Sequence, residues 1–143
     1  MGLRVLVITS RYYEKITLEL EAGAMEVLEK AGCEITLKEV PGAFEVPAAV
    51  AMAADSDMYD AFVTLGCVIR GETTHYDYVC GESARGLMNL SVERRLPIGY
   101  GILTVENQDQ AWARADRKQK NKGADAANAA IAMHQFRKDL LRG

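Results

Sequence analysis

Hydrophobic residues follow two rhythms along this chain. Residues 3–8 (LRVLVI) and 61–69 (AFVTLGCVI) are nearly unbroken apolar runs rich in β-branched side chains. That is the pattern of strands covered on both faces. Residues 34–39 (EITLKE) alternate apolar and polar, the period of a strand. Residues 98–104 (IGYGILT), entered through Pro97, predict a fourth strand. Between these runs the rhythm is helical. Ile16, Leu20, Ala24, Val27 and Leu28 recur along one face of 14–31, and Gly32 follows as a C-terminal stop. The Ala-rich stretch 44–54 is helical in composition, with Pro47 in its first turn, where a missing N–H is tolerated. Further helices are predicted over 76–94, 107–117 and 124–140. The order β-α-β-α-β-α-β-α-α implies a parallel sheet with helices on both faces. No repeat, linker or low-complexity tract breaks it, so residues 1–143 are expected to form one domain.

Composition excludes several classes. A chain of 143 residues, 49% apolar and 26% charged, can bury one real core and is not disordered. No apolar run approaches the roughly 20 residues of a membrane span. The start, MGLRVLVITSRYY, lacks the small-residue cleavage site of a signal peptide and reads as a first strand. A net charge of -3 offers no overall attraction to nucleic acid or an anionic membrane. Cys33, Cys67 and Cys80 lack C-x-x-C spacing. They read as small buried hydrophobes in a reducing, cytoplasmic compartment.

In parallel α/β sheets ligands bind beyond the carboxyl ends of the strands. That rule selects residues 9–13 (TSRYY), 40–45 (VPGAFE), 67–75 (CVIRGETTH) and 104–107 (TVEN). The first carries adjacent aromatics, Tyr12 and Tyr13. The second places Glu45 at the entrance to a helix. The third leads Gly71, Thr73, Thr74 and His75 into a helix, where backbone N–H groups and hydroxyls suit an anion. Loops of this composition also serve simply as turns and caps. His75 at that junction is either a capping side chain or an acid–base group, since imidazole titrates near ~6.5. His134, inside the last helix, reads as a packing or surface residue. No second His or Cys pair falls at ligand spacing, so no metal site is expected. Residues 114–122 (RADRKQKNK) hold five basic residues and one acid. This run is a solvated face, a nucleic-acid patch, or the source of one cation for an anionic ligand. The acidic whole and the lack of interleaved aromatics weigh against nucleic acid.

Four motifs together resemble the lumazine synthases: VPGAFEVP at 40–47, YDAFVTLGCVIRGETTHYDYV at 59–79, the P-I-x-Y-G-I-L-T-V-E-N pattern at 97–107, and NKGADAANAAIAM at 121–133. They cover nearly the whole chain in order. The resemblance implies a flavodoxin-like three-layer α/β/α sandwich with a mainly four-stranded parallel sheet. It also implies assembly at least into pentamers, with active sites between adjacent subunits. The implied reaction condenses 5-amino-6-(D-ribitylamino)uracil with 3,4-dihydroxy-2-butanone 4-phosphate, releasing phosphate and water in riboflavin biosynthesis. No cofactor or metal is implied, and riboflavin synthase is the implied pathway partner.

The same resemblance assigns roles. Tyr12 matches the aromatic that stacks on the pyrimidine. Ala43, Phe44 and Glu45 match the segment holding the ribityl chain. Cys67, Val68 and Ile69 match the strand end that reads the pyrimidine edge through backbone groups. Tyr100 matches a position lent by the neighbouring subunit. Glu72 and Thr73 match the butanone-phosphate loop, and Arg114 the phosphate-binding arginine. His75 matches the proton-transfer residue. Gly71, Thr74, Lys122 and Asp125 match supporting positions. The turn DRKQKNKG carries charge where sixty-subunit shells tend to have glycines, and the chain begins almost at strand one. Both features lead us to expect a pentamer, or a pair of pentamers, over a shell. Two other readings remain: a riboflavin synthase of the archaeal type, and a flavin- or lumazine-binding paralogue with weak or no catalysis. The retained VPGAFE and RGETTHYDYV segments weigh against the first. Intact His75 and Arg114 weigh against the second.

Overall fold

A computed structural model describes residues 2–142. Four strands, β1 (Arg4–Ser10), β2 (Glu34–Val40), β3 (Ala61–Ile69) and β4 (Ile98–Val105), run parallel in the order β2-β1-β3-β4. Five α-helices cover the sheet: α1 (Glu14–Lys30), α2 (Val46–Asp55), α3 (His75–Glu93), α4 (Gln108–Ala115) and α5 (Lys122–Leu141). The architecture is the expected flavodoxin-like α/β/α sandwich.

Side chains alternate across the strands, and each face has its own core. Val5, Val7, Val63, Leu65, Leu103 and Val105 meet Leu20, Ala24 and Leu28 of α1 and the alanines of α4 and α5. On the other face Leu6, Ile8, Phe62 and Ile102 meet Val46 and Val50 of α2 and Val79 and Leu87 of α3. Both faces of β1 and β3 are therefore covered, which is why those two strands read as continuous apolar runs. Gly32 ends α1 with φ 75°, a backbone that glycine adopts without strain. Gly99 of β4 lies against the Ala126 carbonyl of α5, and a Cβ there would collide with that backbone.

The structure corrects four boundaries. β1 continues through Thr9 and Ser10, which pair with Glu39 and Val40, so the loop after it shortens to residues 11–13. Residues 43–45 form a 3-10 turn, and α2 starts only at Val46. The reason is Pro47: it has no N–H to give the Ala43 carbonyl, which instead accepts from Val46. The fourth predicted helix ends at Ala115 because Asp116 leaves helical geometry (ψ 122°) and turns its carboxylate onto the chain ahead. Its Oδ1 accepts from the Lys118 N–H at 2.9 Å and its Oδ2 from the Gln119 side chain at 2.9 Å. The last helix starts at Lys122, after Asn121 in the left-handed region. At the front of α4, Asn107 Oδ1 accepts the Gln110 N–H at 2.9 Å, while Gln110 Oε1 accepts the Glu106 N–H at 2.8 Å. These reciprocal bonds cap the helix much as a capping box does.

Candidate active site

The chain passes from β1 to β2 on one side and to β3 on the other. The crevice between β1 and β3 is the point where the strand order reverses. A cavity of about 490 Å³ opens there, at the carboxyl ends. Its wall is built from three connections. The β1–α1 turn supplies Tyr12 and Tyr13. The 3-10 turn before α2 supplies Ala43, Phe44 and Glu45. The end of β3 and the loop into α3 supply Cys67, Val68, Ile69, Gly71, Thr73 and His75. Three of the four strand-end segments selected from the sequence thus meet at one site; the fourth, 104–107, supplies no wall residue, and its Thr104 lines a separate depression.

Each segment is held by local chemistry. The 3-10 turn closes with the Glu45 N–H donating to the Gly42 carbonyl at 3.1 Å, which leaves Phe44 and Glu45 facing solvent and the cavity. Thr73 Oγ1 accepts the His75 N–H at 3.3 Å, so the loop hydroxyl satisfies a donor of the first turn of α3. The Asp77 N–H donates to the Thr74 carbonyl at 3.0 Å, and the turn lies at the positive end of a 19-residue helix. Burial pushes the Cys67 thiol up to about 12, with nearby Cys80 adding to the rise. Cys67 is therefore a neutral, apolar wall. Burial also raises the thiols of Cys33 and Cys80, and all three cysteines are free.

The β1–α1 turn rests on a half-buried ion pair, with Glu21 buried and Arg11 partly exposed. Arg11 donates from Nε and Nη2 to the two carboxylate oxygens of Glu21 at 2.9 and 2.8 Å. The hydroxyl of Thr9, fully buried, donates to Glu21 Oε2 at 2.8 Å. The hydrogen bond to Glu21 raises the Arg11 pKa above its usual range.

Not every candidate reaches this cavity. Tyr100, Arg114 and Lys122 line a second depression of about 220 Å³ along β4. Tyr100 shares the sheet face of Ile98 and Ile102 on an edge strand and is 42% exposed; burial of its hydroxyl raises the pKa, against a hydrogen bond with Ser83 that lowers it. Arg114 donates to the Gln110 carbonyl at 3.1 Å and has no carboxylate partner among the described residues. Glu72 and Thr74 line neither cavity; both are exposed, and Thr74 caps α3 without a side-chain bond. Asp125 lies 3.4 Å from the Lys122 ammonium.

Two wall residues escaped the sequence reading. Tyr76 and Val79 both line the cavity. Val79 lies four positions after His75 and three after Tyr76, the spacings that keep helical side chains on one face, and that spacing was the available signal. Arg70 holds this corner together. Its guanidinium stacks 4.4 Å from the Tyr76 ring centroid and its Nε donates to Glu106 at 3.0 Å. Arg70 is thus committed to protein partners, and the described wall contains no other Arg and no Lys. A phosphate bound beside His75 would meet backbone N–H groups and an imidazole, but no fixed cation. Among the described residues no group of three or more His, Cys, Asp or Glu side chains could hold a metal ion. Among the described residues no helix is long and apolar enough to cross a membrane.

Comparison with known proteins gives one consistent result. The family model described as 6,7-dimethyl-8-ribityllumazine synthase matches residues 2–138. A protein of that name from Methylobacterium radiotolerans is 57% identical over 132 residues, covering 92% of this chain and 80% of its own length. One from Zymomonas mobilis is 53% identical over 137 residues, covering 96% and 98%. One from Bartonella tribocorum is 51% identical over 135 residues, covering 94% and 89%.

Proposed function

This chain belongs to the 6,7-dimethyl-8-ribityllumazine synthase family, and from that premise we propose that it condenses 5-amino-6-(D-ribitylamino)uracil with 3,4-dihydroxy-2-butanone 4-phosphate in riboflavin biosynthesis. The observation that carries this reading is the single cavity in which Tyr12, the Ala43–Glu45 turn, the Cys67–Ile69 strand end and His75 converge. The cavity has a flat aromatic for a pyrimidine and exposed strand-end amides for its polar edge. Glu45 can accept hydrogen bonds from ribityl hydroxyls. The Gly71–His75 loop and the α3 N-terminus suit the phosphate, with Glu72 and Thr73 acting through their backbone.

His75 serves as the proton relay. The substrate amine attacks the ketone, water leaves to form an imine, phosphate is eliminated, and ring closure with loss of water completes the product. Each step moves a proton, and an imidazole at the cavity wall can both give and take one. Holding the two reactants together supplies much of the remaining acceleration.

The missing cation supports a site shared between subunits. Arg114 lies in the second depression with Tyr100 and Lys122, away from its own chain's cavity. We assign these groups to the neighbouring subunit's site, with Asp125 holding Lys122 in place. The ring is proposed to be a pentamer or a pair of pentamers, in the cytoplasm, with riboflavin synthase as the enzyme that next consumes the product. A two-substrate assay following lumazine absorbance tests the reading. Arg114→Ala should raise KM for the butanone phosphate at least about tenfold, the loss expected for a charge-assisted pair. An unchanged KM would overturn the role of Arg114. Absence of lumazine from the unaltered protein would overturn the function.

A further inference from the structure

We propose that Glu21 is a positioning residue: it clamps Arg11 so that the next residue, Tyr12, presents its ring to the pyrimidine. The proposal rests on the role assigned to Tyr12 above. Tyr12 is 78% exposed, and its recorded ring contact is edge-on to Tyr13 at 5.0 Å. So exposed a side chain is not located by its own packing. Its place depends on the backbone on either side, and both sides are anchored. On the amino side, Arg11 is held by the two-point bond to Glu21, which Thr9 supports from within the core. On the carboxyl side, Tyr13 packs against the core, and Thr17 Oγ1 lies 3.1 and 3.0 Å from the carbonyls of Ser10 and Tyr13.

Stability alone gives little reason for this arrangement. Arg11 is partly exposed, an ion pair with one partner in water adds little stability, and even buried pairs are often replaceable by apolar residues. What the pair offers that a methionine would not is direction. The planar guanidinium and the carboxylate meet at two points and fix one geometry. The charge is also placed where it fixes a three-residue turn directly beneath a ligand wall.

The test is a double-mutant cycle in the assembled enzyme. Glu21→Gln should raise KM for ribitylaminouracil about tenfold, the scale expected for a small misplacement of a binding group. KM for the butanone phosphate should move less than about twofold. In a Tyr12→Ala background the same substitution should have no further effect, because its action passes through that ring. If Glu21→Gln does not fold, Arg11→Met with Glu21→Met removes both charges and carries the same test. Equal rises in both KM values, or additive losses with Tyr12→Ala, would overturn the clamp. An unchanged KM in the folded Glu21 variant would do so as well. If Tyr12→Ala alone leaves KM unchanged, the role of Tyr12 is wrong and the clamp falls with it.

Discussion

At the scale of single residues, the cavity separates groups that do chemistry from groups that shape it. Cys67 belongs to the second kind. Its thiol rises from about 9 to about 12 because burial disfavours the thiolate. The folded state therefore keeps a proton that the unfolded state loses above pH 9. This site contributes nothing at neutral pH and destabilises the fold as pH climbs from about 9 towards about 12. At pH 8, iodoacetamide should label Cys80 well before Cys67 by mass spectrometry; prompt labelling of Cys67 would contradict its burial. His75, which lines the cavity, is proposed to belong to the first kind. His75→Ala should lower kcat by about tenfold, a partial loss, because the reactants are themselves reactive and proximity remains. An unchanged kcat would remove His75 from the proton relay. What was legible here was placement: His75, Tyr12 and Glu45, picked out at strand ends, all line the cavity. The Arg11–Glu21 pair was not legible. An acid in mid-helix looks like a solvated residue, and only the fold shows that its partner ten positions earlier buries it.

At the scale of elements, legibility followed the hydrogen-bond pattern. β3 and α1 were clear because their apolar period continues without interruption across whole elements. The 3-10 turn at 43–45 and the break at 116 were not, because each depends on one donor or acceptor. Pro47 withholds an N–H, and Asp116 diverts its carboxylate onto the backbone ahead. Composition averages over such single atoms. Two substitutions test the packing and capping described here. Asn107→Ala removes the acceptor for the Gln110 N–H and should cost about 1 kcal/mol in urea unfolding. Gly99→Ala forces a methyl against the Ala126 backbone and should cost about 3 kcal/mol, read as a lower denaturant midpoint. A neutral Gly99→Ala would mean that α5 does not approach β4 as closely as described.

At the scale of the whole molecule, the described residues give a cavity whose wall holds no Arg or Lys, while Arg114 and Lys122 line a separate depression. The edge strand β4 exposes Tyr100, and α3 exposes Tyr78, Met88 and Val92. Exposed apolar groups of this size are the usual material of subunit contacts. Arg117 ties the α4–α5 turn to Glu19 and Glu26 of α1, which sets the charged segment between Arg114 and Lys122 in place. Light scattering should give a pentamer or a pair of pentamers, and a sixty-subunit peak would overturn that assembly.

The central claim, a condensation site shared between neighbouring chains, is tested most directly by mixing defective subunits. His75→Ala and Arg114→Ala protomers are unfolded together, reassembled, and assayed for lumazine at limiting butanone phosphate. About a quarter of the sites in a mixed ring should then take His75 from one chain and Arg114 from the next. The account predicts activity above the mean of the two separate variants. Activity equal to that mean would contradict it.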